Sequence, residues 1–197
     1  MQSARQAFTR ESADARRAGL VEATAACLAE SGLAGTNVRA ICKKAGVSPG
    51  LLRHYFAGID DLVAATYQAT SDRMDAIFAA AVDGAGGDPR ARLNAYLTAS
   101  FRPPVTDPEL LGAWTAFWAL AGSDARMTQI HAESYAGYRA RLSELLAACG
   151  ARDAGRLAIM LTAMVDGLWL ELSLDATSFG ADAATAMIEQ AVAALLG

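Results

Sequence analysis

Residues 36–56, Thr-Asn-Val-Arg-Ala-Ile-Cys-Lys-Lys-Ala-Gly-Val-Ser-Pro-Gly-Leu-Leu-Arg-His-Tyr-Phe, decide how this chain folds. Val38, Ile41, Cys42 and Ala45 recur at helical spacing, with Thr36 or Asn37 as N-cap and Gly46 as the stop. Ser48 caps a second short helix, and Pro49 takes its first position, where a missing N–H costs nothing. Two short helices joined through Ala45-Gly46-Val47-Ser48 form a helix-turn-helix, in which glycine permits the tight turn. Val47, Leu52 and Phe56 anchor the second helix and leave Gly50, Leu51, Arg53, His54 and Tyr55 on its other face. That face suits DNA: a small residue for close approach, a guanidinium for phosphate or guanine, and imidazole and hydroxyl donors for phosphate. Arg39 and Lys43, four apart on the preceding helix, flank the duplex backbone, while the helix starts at Thr36 and Ser48 add N–H groups for phosphate. Read without DNA, the same pattern is a three-helix unit with a solvated basic face.

Working outward, the punctuation stays helical. Leu20, Ala23, Thr24, Cys27 and Leu28 mark a first helix stopped at Gly32. A fourth helix is expected from about Asp60 to Val82, its two leading acids at the positive end. Gly84 to Pro89 starts a fifth, which Arg102-Pro103-Pro104 ends, and Asp107-Pro108 opens a sixth reaching about Ala121. Ser123 or Asp124 caps a seventh that closes at Gly150; an eighth runs from Asp153 to Leu174 and a ninth from Gly180 to Leu196. No run alternates with period two between hairpin turns. The expected fold is all-α, about nine helices, divided into a head (1–58) and a body (59–197).

Charge follows the same division. Residues 1–60 hold eight Lys or Arg against five acids, a net of +3, whereas the rest holds nine bases against sixteen acids, a net of −7. A basic head on an acidic body assigns any polyanion to the head. With 53% hydrophobic and 19% charged residues, disorder is excluded. The polar opening lacks the apolar core of a secretory signal. Leu157–Leu174 is apolar enough to suggest a membrane span, but Asp166 at its middle argues against one. Cys27, Cys42 and Cys149 are odd in number and form no CxxC pair, so neither a disulfide framework nor a zinc site is expected. A cytoplasmic protein with no membrane association follows. Catalytic, metal and cofactor motifs are also missing: His54 and His131 are the two histidines, and no HExxH, phosphate loop or nucleotide fingerprint occurs. His131 reads as an ordinary surface or pocket residue.

The segments Thr36–Ile41 and Ala45–Phe56 together resemble the DNA-binding signature of TetR-family repressors. Ala113-Trp114-Thr115-Ala116-Phe117-Trp118 and Val165-Asp166-Gly167-Leu168-Trp169-Leu170 resemble the BetI branch, which represses choline-to-glycine-betaine genes. The resemblance implies a homodimer whose third helices enter successive major grooves of a palindromic operator, and a small ligand in the body that releases the DNA. It also implies DNA contacts from Thr36, Gly50, Arg53, His54 and Tyr55. One departure stands out: where the family has a Lys soon after the Phe, this chain has Ala57-Gly58-Ile59 and no base until Arg73. Arg5, Arg10, Arg16 or Arg17 would then supply the missing phosphate contact.

In the body, Trp114, Phe117 and Trp118 share one helical stripe, Tyr135 and Tyr138 add two rings, and Thr162, Asp166 and Trp169 share a face of the eighth helix. A buried acid is costly unless paired, and aromatic walls around one acid suit a quaternary ammonium, drawn to ring faces. Choline or betaine aldehyde, both cations, would satisfy Trp114, Phe117, Trp118, Tyr135, Asp166 and Trp169. The competing reading is core packing, with Asp166 bonded to a neighbouring hydroxyl or Arg; Phe101, Met160 and Met164 fit either. A second pair of stripes, Leu161, Val165, Leu168 and Leu172 with Ile188, Ala191, Val192 and Leu195, is expected to build a four-helix dimer interface, Gly167 allowing close approach. Two alternatives remain open: a multidrug-cation sensor, and a helical small-molecule-binding or enzymatic protein whose DNA head is weakened.

Overall fold

A computed structural model of the 197-residue chain describes residues 13–122, 124–175 and 177–197. The described residues form α-helices α1 (Ala13–Gly35), α2 (Val38–Ala45), α3 (Pro49–Tyr55), α4 (Ile59–Gly84), α5 (Pro89–Thr98), α6 (Pro108–Ala121), α7 (Ala125–Ala148), α8 (Ala154–Leu174) and α9 (Ala181–Leu196). A 3-10 turn, Ala99–Phe101, follows α5, and no strand occurs among the described residues. The fold is all-α.

Short polar side chains set the helix starts. Asn37, Ser48, Asp88, Asp124 and Asp153 each accept a bond from the backbone N–H three residues on, satisfying a donor that the helix leaves free. Asn37 thus caps α2 where Thr36 was the other choice; Ser123 lies outside the described residues. Gly32 interrupts α1 with φ 59° and ψ −166°, after which a further turn carries the chain to Gly35. Thr36 donates its hydroxyl to the Gly32 carbonyl at 2.7 Å and fastens this kink to the start of α2.

Two apolar clusters fill the molecule. Leu20, Ala23 and Cys27 of α1, Ile41 and Cys42 of α2, Leu52 and Phe56 around α3, and Leu62 of α4 form the head core. A larger cluster, including Tyr67, Phe78, Leu97, Phe117, Leu142, Leu161 and Ile188, joins α4 to α9. α1 packs closely on α6: a Cβ on Gly112 would stand 2.9 Å from the Ala29 Cα. Arg126 of α7 also meets Asp61 of α4 at 3.0 Å. The cysteines are free thiols, Cys27 and Cys42 buried and Cys149 half-buried, and burial raises the pKa of each.

The eighth and ninth helices correct the expected dimer stripes. Leu161, Val165, Ile188 and Val192 are buried in this chain's own core, and Leu168 and Leu172 pack against it. Of the expected stripes only Leu195 is exposed; the other exposed apolar side chains lie outside them: Ile159 (61% exposed), Met160, Leu170 and Leu174 (73% exposed) on α8, with Met187 on α9. α8 is apolar on more than one face, which makes it long and apolar enough to cross a membrane by composition. Its Leu161, Thr162, Val165 and Trp169 are nevertheless packed inside the protein.

Candidate functional site

The head presents α3 through a turn that Gly46 makes possible, its φ of 66° placing it in the left-handed region. Leu52 and Phe56 point into the head core, which turns Gly50, Arg53 and His54 out to solvent. Tyr55 is half-buried and meets the His54 ring edge-on, centroids 5.1 Å apart. Ser48 uses its Oγ as an acceptor for the Leu51 N–H, so its own hydroxyl proton is left to donate outward. Arg39 and Lys43 are exposed on α2, while neighbouring Lys44 is tied to Glu30 of α1 at 2.7 Å.

Thr36 does not join this face. It is 9% exposed and its hydroxyl proton is committed to Gly32, because the kink in α1 needs a donor there. The positions that would compensate for the missing Lys divide likewise. Arg5 and Arg10 lie outside the described residues, and Arg17 holds its guanidinium 4.9 Å from the centre of the Phe56 ring. Ala57, in the departing segment, donates its N–H to Asp61.

The body contains a small cavity of about 50 Å³ among α4, the 3-10 turn, α6, α7 and α8, walled by Trp114, Trp118, Tyr135, Tyr138 and Trp169 and holding Asp166. Trp118 and Trp169 meet edge to face at 5.4 Å, and the Trp118 indole N–H donates to the Tyr135 hydroxyl at 3.0 Å. Desolvation pushes the Asp166 carboxyl up to about 6, while a hydrogen bond from Tyr135 and the charge of Arg139 pull it down. The acid is thus hydroxyl-bonded and beside aromatic walls at once, so the two readings of it are not exclusive. An outer groove lined by Trp118, Tyr135 and Asp166 together with His131, Gly167 and Leu170 adjoins the cavity.

Phe117 is not part of the wall. It is fully buried and stacks on Tyr67, centroids 4.5 Å apart and planes within 3° of parallel. Its place on the stripe turns it toward α4 and leaves Trp114 and Trp118 to the cavity. Phe101 is core, Met160 is exposed, and Met164 packs on the core. His131 is half-buried with its Nδ1 2.8 Å from the Tyr67 hydroxyl. Burial and Arg139 lower the His131 pKa and burial pushes Tyr67 up to about 12, so Tyr67 donates to a neutral imidazole.

Sequence reasoning missed the contribution of α4 and the 3-10 turn: Met74, Asp75, Phe78 and Ser100 also line the cavity, as does Ser134 of α7. The signal was Met74 and Phe78 at i, i+4 on a helix face that also carries Asp75. No group of His, Cys, Asp and Glu among the described residues is placed to hold a metal.

Residues 20–66 match the model of the bacterial regulatory proteins of the tetR family, and residues 89–197 match the BetI-type transcriptional repressor C-terminal domain. The HTH-type transcriptional regulator BetI of Rhizobium meliloti is 34% identical over 92% of this chain and 89% of its own length. A transcriptional regulator from Pseudomonas aeruginosa PAO1 has a similar solved structure, with TM-score 0.85 and 40% identity, covering 97% of this chain and 95% of that one. A regulator from Saccharomonospora viridis, solved in complex with choline, shares the fold at TM-score 0.81 and 15% identity, covering 90% of this chain and 95% of that one.

Proposed function

The chain belongs to the TetR family of bacterial transcriptional regulators, with a BetI-type C-terminal domain, and from that membership we propose a dimeric repressor that reads a palindromic operator with α3 and responds to a small quaternary ammonium. It is a regulator rather than an enzyme. The head (1–58) binds DNA and the body (59–197) binds effector and partner subunit. As a regulator of chromosomal DNA it works in the cytoplasm.

For the DNA half, the supporting observation is that Leu52 of α3 and its capping Phe56 are buried and leave Gly50, Arg53 and His54 exposed. Arg53 and His54 are assigned to base edges or phosphates, Arg39, Lys43, Ser48 and Tyr55 to backbone positioning, and Gly50 to close approach. Fluorescence anisotropy with duplexes from the gene's own upstream region tests this. Binding must weaken steeply with salt, because phosphate contacts release counterions. Salt-insensitive binding, or none along that region, would refute the assignment.

For the effector half, the supporting observation is a half-buried acid, Asp166, in a cavity walled by three tryptophans and two tyrosines. Ring faces and a carboxylate attract a cation that has no hydrogen to donate. The choline-bound regulator of the same fold adds weight to choline or betaine aldehyde. Choline should quench tryptophan fluorescence saturably and shift operator affinity; a response in neither would remove the effector assignment and leave the DNA assignment intact.

A further inference from the structure

The helix assigned to DNA is short and depends on what holds its end. α3 has seven residues, too few for its own hydrogen bonds to fix its direction. It leads into Ala57-Gly58, two residues without a bulky side chain to lock the turn. Leu52 and Phe56 anchor it by burial, but the polar fastening comes from outside the helix-turn-helix. Asp61, the third residue of α4, accepts the Ala57 N–H with one carboxylate oxygen at 3.2 Å. Its other oxygen accepts a guanidinium N–H of Arg126 at 3.0 Å. One side chain thus joins the residue after the α3 cap to the first turn of α7. Gly58, the N-cap of α4, makes no side-chain bond of its own, so Asp61 is what closes this turn.

The far end of the bridge is itself fixed. Asp124 caps α7 through the Met127 N–H at 2.9 Å, so Arg126 stands in a secured first turn. About one and a half turns further along both helices, the Tyr67 hydroxyl of α4 meets His131 of α7 at 2.8 Å. α4 and α7 are therefore tied at two points, and the point nearer the head passes into the turn after α3. The ion pair is open to water, with Arg126 57% and Asp61 34% exposed, so it contributes little to stability. Its effect falls on the direction of α3, where a small misplacement loses contacts to DNA.

Resting on the assignment of α3 to DNA above, we propose that Arg126 and Asp61 are positioning residues for operator binding: the body aims the reading helix through a carboxylate that holds Ala57 and Arg126 at once. Neither side chain touches DNA. Charge alone predicts a different behaviour. Asp61 is an acid at the edge of a head that meets a polyanion, so removing its charge would tighten binding if electrostatics were its whole effect. Arg126, were it a direct phosphate contact, would carry its own share of the salt dependence.

Anisotropy of the full-length protein with duplexes from the gene's own upstream region, over a series of salt concentrations, tests this. Asp61→Asn is expected to weaken binding about threefold, against the sign of its charge change. Arg126→Ala should also cost about threefold, with the salt slope unchanged. Because the two side chains act as one link, the double variant should be about as weak as either single variant rather than the product of the two. Arg126→Lys, which keeps the charge, should recover part of the affinity, and thermal melts of all four should stay close to wild type. The proposal is overturned, and the reading role of α3 survives, if Asp61→Asn binds as tightly as wild type or more so. Multiplied losses in the double variant, or an Arg126→Ala salt slope smaller by about one, overturn it equally. If the wild-type protein binds none of the duplexes, the α3 assignment falls and takes this proposal with it. The salt slope of Arg126→Ala, an exposed substitution, decides the matter even if Asp61→Asn fails to fold.

Discussion

Burial pushes the Asp166 carboxyl up to about 6, so at pH 7 the folded protein carries an ionised acid that its surroundings disfavour. The folded pKa lies above the unfolded one, so the penalty is absent below about pH 4, builds up between about 4 and 6, and is fully present above that. Asp166→Asn is therefore expected to stabilise the protein at pH 7 by roughly 1–3 kcal/mol, with no comparable gain near pH 4. Thermal melts at the two pH values check it. Binding runs the opposite way: wild-type affinity for a quaternary cation should fall about tenfold between pH 7 and pH 5, whereas the Asn variant binds weakly at both. In the head, Arg53→Ala should cost about 1–3 kcal/mol of operator affinity and leave cation binding unchanged, read by anisotropy and by tryptophan fluorescence. Arg53 and His54 were legible in the sequence because polar residues between Leu52 and Phe56 have nowhere to point but outward. Thr36 was not, because its burial depends on a kink at Gly32 four residues away, a conformation that helical spacing does not encode.

At the level of elements, α6 has two neighbours to satisfy. One side carries Trp114 and Trp118 to the cavity, and Gly112 lets the helix lie directly on α1. The atoms a Cβ at Gly112 would meet are the Ala29 Cα and carbonyl, which are backbone and cannot swing aside as a flexible side chain would. Gly112→Ala is expected to destabilise the protein by about 1–3 kcal/mol in chemical denaturation, as overpacking of a close helix contact does. Some caps were legible residue by residue: Ser48 caps α3 as expected and Asp124, one of two choices, caps α7, while Asp88 and Asp153 do the same work where the sequence marked only a helix start. The aromatic stripe of α6 was legible only as a stripe. Its spacing places Trp114, Phe117 and Trp118 on one side, but Tyr67 of α4 claims Phe117 and the cavity receives the two tryptophans.

At the scale of the whole molecule, the exposed apolar side chains on α8 and α9 mark the surface on which the proposed dimer would form. Ile159, Ala163, Gly167, Leu170 and Leu174 fall at helical spacing along α8, and Ile159, Leu170 and Leu174 are exposed. Leu170→Glu should yield a monomer in analytical ultracentrifugation. Operator affinity should then drop more than tenfold, because two linked heads gain from effective concentration what one head lacks. Leu161→Glu would instead unfold the body, since that side chain is buried; a folded monomer from this variant would contradict the assignment of faces.

The sequence by itself determined the all-α class, the helix-turn-helix and the division between a basic segment and an acidic remainder. These follow from local rules: spacing, caps, turn glycines and the count of charges. Only the tertiary structure decided which face of an apolar helix turns inward. α8 carries apolar residues on both sides, so periodicity names Leu161–Leu172 and Ile159–Leu174 alike, and only packing against α7 and α9 separates core from surface. The same holds for the cavity. Asp75 and Asp166, or Trp169 and Tyr138, are far apart along the chain, and nothing local says that they line one space. Whether a buried polar group finds a partner is settled by what the rest of the fold brings to it, and the Trp169 indole N–H receives none.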